Sequence, residues 1–164
     1  MNKKNNKEGA PVILLVEDNP ADAGLVEEAF KDGSLYCDLH FAEDGIVALN
    51  FLRRQAQFSA APRPDLILLD LNLPKKDGRE VLEEIKADPA LREIPVIVLT
   101  TSEDQSDVHR AYGLHANCYL TKPIDIDCFL RKVRAIEDFW LTFVRLPGNQ
   151  NVWGKRKREA APLA

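Results

Sequence analysis

Long apolar runs are missing from this sequence of 164 residues. None approaches the roughly 18 residues of a membrane-spanning helix, and the first ten residues lack the apolar stretch of a secretory signal peptide. Cysteine is scarce, and the three present are odd in number and lack the spacing of metal ligands. We therefore expect a cytoplasmic protein without a membrane partner, whose cysteines are reduced thiols in the core.

The length fits one domain of roughly 150 residues. The formal net charge is −4, but the first eight residues carry +2 and the last ten carry +3, which leaves −9 for residues 9–154. An acidic body argues against nucleic-acid binding by the domain itself. We expect a polar tail at 1–10, a folded domain at 11–147 and a basic tail at 148–164, whose Lys-Arg run is more often solvated than bound.

Short β-rich apolar runs alternate with segments of helical period, which is typical of a parallel sheet with crossover helices. Strands are expected near residues 12–16, 37–42, 65–70, 95–100 and 117–121, and helices near 20–31, 44–54, 79–87, 102–114 and 126–144. Cap residues support three of the helix starts: Asn19 before Pro20, Ser102 with Gln105, and Asp125. The pattern predicts an α/β fold with five parallel strands and helices on both faces.

Acidic, hydroxyl and ammonium side chains stand at the ends of four predicted strands. Glu17 and Asp18 follow the first strand, Asp70 ends the third, Thr100 ends the fourth and Lys122 follows the fifth. The carboxyl ends of parallel strands meet at one edge of a sheet, where functional groups collect. Three carboxylates held close together repel one another, and a hard divalent cation such as Mg²⁺ is the usual remedy.

This set of groups suits phosphoryl transfer to a carboxylate. A metal ion that neutralises phosphoryl oxygens allows a neighbouring carboxylate to attack in line. The expected nucleophile is Asp70. Its expected partners are Glu17, Asp18 and the Asn72 backbone carbonyl on the metal side, and Lys122 and Thr100 on the phosphoryl side. Any one of these residues could be an ordinary solvated strand end, but solvation alone hardly explains four strand ends with complementary chemistry.

The segments VILLVEDNP, DLILLDLNLPKKDG, IPVIVLTTSED and CYLTKP, in this order and spacing, resemble the receiver domain of bacterial two-component response regulators, the CheY-like fold. The resemblance covers about residues 12–144 and implies the strand order 2-1-3-4-5. It implies that Asp70 accepts a phosphoryl group from the phosphohistidine of a histidine kinase, with Mg²⁺. The domain is then a switch that assists its own phosphorylation and dephosphorylation rather than an enzyme.

The same resemblance assigns the site residues. Glu17, Asp18 and the Asn72 carbonyl serve the metal pocket, Thr100 and Lys122 contact the phosphoryl group, Tyr119 is the aromatic of the switch, and Lys122–Pro123 is a cis peptide. The family pattern usually begins with two Asp residues, so the resemblance leaves open whether Glu17 binds the metal directly or through water. Phosphorylation would draw Thr100 inward, and Tyr119 could fill the vacated space.

The last predicted helix is strongly apolar at its end. A core-facing stripe is expected at Ile126, Phe129, Val133, Ile136, Trp140 and Phe143, and further apolar residues widen it at Phe139, Leu141, Val144 and Leu146. Apolar patches left exposed usually mark interfaces, so we expect a homodimer through this helix, with folding back within the chain as the alternative. The segments EDFWLTFVRLP and VEDNPADAGLVEEAF also resemble stand-alone receivers paired with phytochrome kinases, which implies a light-sensing histidine kinase as partner.

Two other functions use the same residues. A Mg²⁺-dependent phosphohydrolase with an Asp nucleophile would place that nucleophile, and a second acid two residues on, after the first strand and would carry a cap over the substrate. Here the first strand is followed by Glu17, Asp18, Asn19 and Pro20, and the sequence has no insertion large enough for a cap. A scaffold that binds partners without phosphorylation would not need a complete pocket. Only 17 residues follow Pro147, too few for an output domain, so we expect a single-domain regulator that signals through a changed interaction surface.

Overall fold

A five-stranded parallel sheet forms the centre of the molecule. The computed structural model describes residues 9–147, so residues 1–8 and the whole predicted basic tail, including its Lys-Arg run, lie outside the described residues. The strands are β1 (Val12–Val16), β2 (Asp38–Ala42), β3 (Leu66–Leu69), β4 (Val96–Thr100) and β5 (Cys118–Thr121). Their order is β2-β1-β3-β4-β5 and every neighbouring pair is parallel. The predicted class and strand order are confirmed.

Helices pack on both faces of the sheet and separate two apolar layers. They are α1 (Pro20–Asp32), α2 (Gly45–Leu52), a 3₁₀ turn (Ala56–Phe58), α3 (Gly78–Ala87), α4 (Gln105–Gly113) and α5 (Ile126–Asp138). Successive residues of a strand face opposite ways. In β3, Ile67 and Leu69 pack with α2 and α3, whereas Leu66 and Leu68 pack with α1 and α5. The continuous apolar runs in the sequence reflect this burial on both faces.

The helix starts follow capping chemistry, with one correction. Asn19 and Asp125 cap α1 and α5 as predicted. The prediction of Ser102 as the cap of α4 was wrong, because Asp104 accepts the hydrogen bond from the Ser106 amide at 2.9 Å and the helix begins after it. A carboxylate is favoured there since it also complements the positive end of the helix dipole.

The chain after α5 departs from the predicted regular helix. Residues 139–143 form a π turn, in which Phe139 accepts an i→i+5 hydrogen bond of 3.0 Å. The extra residue in this turn rotates the apolar stripe. Leu141 is therefore fully buried, whereas Phe143, predicted to face the core, is 79% exposed. Ile126 was also wrongly placed in the core and is 57% exposed, since it is the first residue of α5 and precedes the core-facing turns.

Cys37, Cys118 and Cys128 are thiols of intermediate burial. Cys37 and Cys118 pack against the apolar layer that contains α1 and α5, as core cysteines would. Within residues 9–147, none of the helices combines the length and the apolar character needed to cross a membrane.

Candidate functional site

The ends of β1 and β3 bring three carboxylates together. Asp70 follows β3 directly, and its amide donates to the carbonyl of Val16 at 3.0 Å, so the two strands end side by side. Carboxylate oxygens of Glu17, Asp18 and Asp70 lie within 4.8 Å of one another. Glu17 and Asp70 are buried, while Asp18 is exposed. The sequence prediction that these three side chains share one edge agrees with this geometry.

Lys122 is the positive charge of this site. Its side chain is 5% exposed, and its ammonium donates to the carboxylates of Glu17, Asp70 and Asp22, at 2.9 Å for Asp70 and 3.0 Å for Asp22. The Lys122 amide donates to the carbonyl of Thr100 at 2.7 Å, which fixes the start of the loop after β5 beside β4. An ammonium has three donors, so the carboxylates use all of them.

Burial and charge act in opposite directions on these groups. Burial raises the pKa of Glu17 to about 7, although Lys122 partly offsets this effect. Burial lowers the pKa of Lys122, but hydrogen bonds to Glu17 and Asp70 outweigh it and the pKa is raised, so the ammonium stays charged. One ammonium faces four acidic side chains, because Asp18 and Asp22 adjoin the same pocket. The excess of carboxylate oxygens fits a hard divalent cation.

Asn72 and Thr100 lie next to the carboxylates. The Asn72 amide donates to Asp70 Oδ1 at 3.1 Å, so the chain after β3 folds back over the Asp70 side chain. Thr100 is fully buried at the end of β4, and its hydroxyl oxygen faces the Ser102 amide at 3.5 Å. Both predicted residues are thus at the edge of the sheet where the prediction placed them.

Tyr119 belongs to a hydrogen-bond network beside the site. Its hydroxyl donates to the carbonyl of Ser102 at 2.9 Å, and the Ser102 hydroxyl donates to Asp107 at 2.6 Å. Arg79 binds both carboxylate oxygens of Asp107, at 2.8 and 2.6 Å. The loop after β4 is therefore tied to the starts of α3 and α4. The Arg79–Asp107 pair was not predicted from the sequence, because no local pattern links residues that are 28 positions apart.

Two features of the site differ from what the sequence suggested. No peptide bond within residues 9–147 is cis, so the implied cis Lys122–Pro123 peptide was wrong; the trans form of such a bond is favoured by roughly 0.5–1 kcal/mol unless tertiary contacts oppose it. Asp22 was missed as a partner of Lys122. The available signal was its position as an acidic residue in the first turn of α1, directly after the acidic end of β1.

A comparison with known protein families shows to which family this chain belongs. The family model of the response regulator receiver domain matches residues 13–134. The chain belongs to this family. The receiver domain thus acts as a response regulator with a signalling role. The phosphohydrolase and scaffold alternatives are not favoured.

Relatives resemble this receiver along most of its length. Response regulator Rcp1 from Synechocystis sp. is 54% identical over 136 residues, which cover 83% of this chain and 92% of the relative. The crystal structure of its Mn²⁺-bound form matches with a TM-score of 0.81 and 53% identity, covering 84% of this chain and 99% of that one. The phosphorylated cyanobacterial phytochrome response regulator RcpA matches with a TM-score of 0.82 and 48% identity, at the same coverage.

The Arg79–Asp107 pair gives the receiver an acid-sensitive contribution to stability. Hydrogen bonds from Arg79 and Ser102 lower the pKa of Asp107 from 3.8 to about 2. A lowered pKa means that the contribution is complete above pH 3.8 and is lost as the pH falls towards 2. We expect Asp107→Asn to lower the free energy of unfolding by about 2 kcal/mol at neutral pH, and by less near pH 3. Urea unfolding at both pH values measures this, and a difference independent of pH would contradict it.

Proposed function

We propose that this receiver accepts a phosphoryl group on Asp70 and signals through the surface formed by α4, β5 and α5. The observation that carries the proposal is the Asp70 carboxylate, buried beside the Lys122 ammonium and within the cluster completed by Glu17 and Asp18. A lone buried carboxylate would be a poor nucleophile, since burial favours its protonated form. Lys122 keeps a positive charge next to it.

Glu17, Asp18, Asp70 and the carbonyl of Asn72 are the proposed ligands of Mg²⁺. The cluster supplies carboxylate oxygens, which hard cations prefer. The Mn²⁺-bound structure of Rcp1 supports a divalent ion at this kind of site. When bound, the ion supplies positive charge that neutralises phosphoryl oxygens.

The proposed transfer is an in-line displacement at phosphorus. An Asp70 oxygen forms the new P–O bond as the P–N bond of a kinase phosphohistidine breaks, and the histidine nitrogen leaves with the electron pair. Lys122 binds a phosphoryl oxygen, and the Thr100 hydroxyl donates to another. Hydrolysis of the acyl phosphate, assisted by the same groups, resets the domain.

The proposed readout begins at the loop after β4. Movement of Thr100 towards the phosphoryl group shifts Ser102, whose carbonyl accepts from Tyr119. The Tyr119 ring is half-buried and packs at the edge of the core, so it can turn inward once that hydrogen bond is lost. This changes the exposed surface of α4, β5 and α5.

A phytochrome-type histidine kinase is the proposed phosphodonor. RcpA, at 48% identity, is a phytochrome response regulator, and the structural neighbour RPA3017 from R. palustris, at 34% identity and a TM-score of 0.78, acts in red light signaling. We also propose a cytoplasmic location, because the three cysteines are thiols, as reducing compartments keep them.

Incubation with acetyl phosphate and Mg²⁺ tests phosphoryl acceptance. We expect one base-labile phosphoryl group per chain, measured by mass spectrometry, and none in Asp70→Asn. Asp32→Asn is the matched control, because Asp32 is an exposed acid at the end of α1, and it should be phosphorylated like the wild type. Sustained turnover of small phosphoesters would instead indicate a hydrolase, and the absence of any adduct would favour a scaffold.

A homodimer through the C-terminal helix is the second part of the proposal. Phe139 and Phe143 are 55% and 79% exposed at the end of this helix, and the Phe139 and Trp140 rings stack edge to face with centroids 5.6 Å apart. Aromatic side chains exposed together on one surface usually mark an interface.

Sedimentation of the full chain at micromolar concentration tests this interface. We expect a dimer for the wild type and a shift towards monomer for Phe143→Ser. Ile46→Ser is the control, because Ile46 is similarly apolar and 46% exposed but lies on α2. A monomeric wild type, with and without phosphorylation, would contradict the dimer.

A further inference from the structure

Lys122 contacts one carboxylate that is not part of the acidic metal cluster. Asp22 Oδ2 lies 3.0 Å from the Lys122 ammonium, and the Asp22 side chain is 28% exposed. The other two partners, Glu17 and Asp70, are more deeply buried and both belong to the cluster of potential metal ligands. Asp22 thus differs from Glu17 and Asp70 because it lies outside the cluster, so a metal ion bound there would not compete with Lys122 for its carboxylate.

The backbone holds Asp22 in place. It lies in the first turn of α1, where Asn19 Oδ1 accepts hydrogen bonds from the amides of Ala21 at 2.9 Å and Asp22 at 3.3 Å. The Ala23 amide donates to the Asn19 carbonyl at 3.0 Å. These hydrogen bonds fix the backbone from which the Asp22 side chain extends. The Asp22 carboxylate can therefore orient the long, flexible Lys122 side chain.

Phosphorylation in the presence of a divalent ion would weaken the contacts of Lys122 with its other two partners. A divalent ion would draw on the oxygens of Glu17 and Asp70, and formation of an acyl phosphate would turn the attacking Asp70 oxygen into the bridging oxygen of a mixed anhydride, which has low basicity. Asp22, which lies outside the cluster of potential metal ligands, would keep its contact with the ammonium unchanged. Without it, a side chain with four rotatable bonds would have to be ordered by the phosphoryl oxygen itself, at an entropic cost.

We propose that Asp22 is a positioning residue that holds the Lys122 ammonium where it meets the phosphoryl group on Asp70. This inference rests on the proposed function of Asp70 as phosphoacceptor. Asp22 acts through Lys122 and contacts neither the metal nor the phosphoryl group.

Calorimetric titration of the full chain with beryllium fluoride, a phosphoryl analogue, in saturating Mg²⁺ tests this role. We expect Asp22→Asn to weaken beryllium fluoride binding about tenfold, as loss of one charge-assisted hydrogen bond implies, while the affinity for Mg²⁺ alone changes about threefold or less. Asp22→Glu should restore part of the affinity. Glu28→Gln removes the same charge from an exposed position of α1 and should bind beryllium fluoride like the wild type.

A double-mutant cycle with Lys122→Met separates positioning from a general effect of charge or folding. If Asp22 acts through Lys122, adding Asp22→Asn to Lys122→Met should weaken binding no further. A tenfold loss that persists in the Lys122→Met background would overturn the proposal, as would an unchanged Asp22→Asn variant or a parallel tenfold loss of Mg²⁺ affinity. A wild-type chain that does not bind beryllium fluoride would overturn the proposed function and this inference with it.

Discussion

Lys122→Met is expected to destabilise the metal-free protein by about 3 kcal/mol. The substitution keeps most of the side-chain volume but removes the ammonium that, within residues 9–147, contacts Glu17, Asp22 and Asp70. Glu17 and Asp70 are buried, so both carboxyl groups would lose their buried cationic partner without gaining access to water. Such a loss is costly because the desolvation of each carboxylate has already taken place on folding.

The same variant should recover much of its stability in Mg²⁺. A ligand that binds only the folded state stabilises it by mass action, and a site with more uncompensated negative charge should gain more from a divalent cation. Urea unfolding in EDTA measures the loss of stability without metal, and urea unfolding in millimolar Mg²⁺ measures the recovery. The difference in the free energy of unfolding between the wild type and Lys122→Met should be clearly smaller in Mg²⁺ than in EDTA.

Lys75→Met provides the control for this experiment. Lys75 also pairs with a buried carboxylate, Asp44, at 2.8 Å, but its own side chain is 59% exposed and the pair lies outside the acidic cluster. We expect a small loss of stability that Mg²⁺ does not change. Equal responses of the two variants to Mg²⁺ would contradict a cation site beside Lys122.

The strand ends could be predicted because they depend on short stretches of sequence. Runs such as residues 66–69 are apolar at every position only when both faces of a strand are covered, and this places Asp70 at the carboxyl edge without any tertiary information. Parallel strands then bring Glu17 and Lys122 to the same edge. The positions of the predicted site residues follow from this one topological property.

Contacts that depend on side-chain direction could not be predicted in the same way. The π turn at residues 139–143 inserts one residue into a helix whose sequence has an unbroken apolar period, so the direction of Phe143 reversed. The Arg79–Asp107 pair joins the starts of α3 and α4. No rule based on sequence spacing predicts such a contact. The choice of Asp104 over Ser102 as cap is a competition between two good caps two residues apart.

Gly78→Ala is expected to destabilise the fold by about 3 kcal/mol and to disturb the proposed phosphorylation site at the same time. Gly78 begins α3, and a Cβ at this position would overlap the backbone carbonyl of Asp70 and lie 2.6 Å from the Leu71 Cα. Its amide also donates to the Leu71 carbonyl at 2.9 Å. The conflicting atoms are all backbone, so no side chain can rotate away, and the chain after β3 has to move.

Gly24→Ala is the matched control, because Gly24 lies within α1 and a Cβ there would meet nothing within 4 Å. It should stabilise the protein by roughly 0.5–1 kcal/mol, since alanine loses less backbone entropy in a helix. Urea unfolding measures both changes, and the rate of phosphorylation by acetyl phosphate reports whether Asp70 has moved. If Gly78→Ala were as stable as the wild type and phosphorylated at the same rate, the close approach of α3 to the Asp70 backbone would not be what fixes the acceptor.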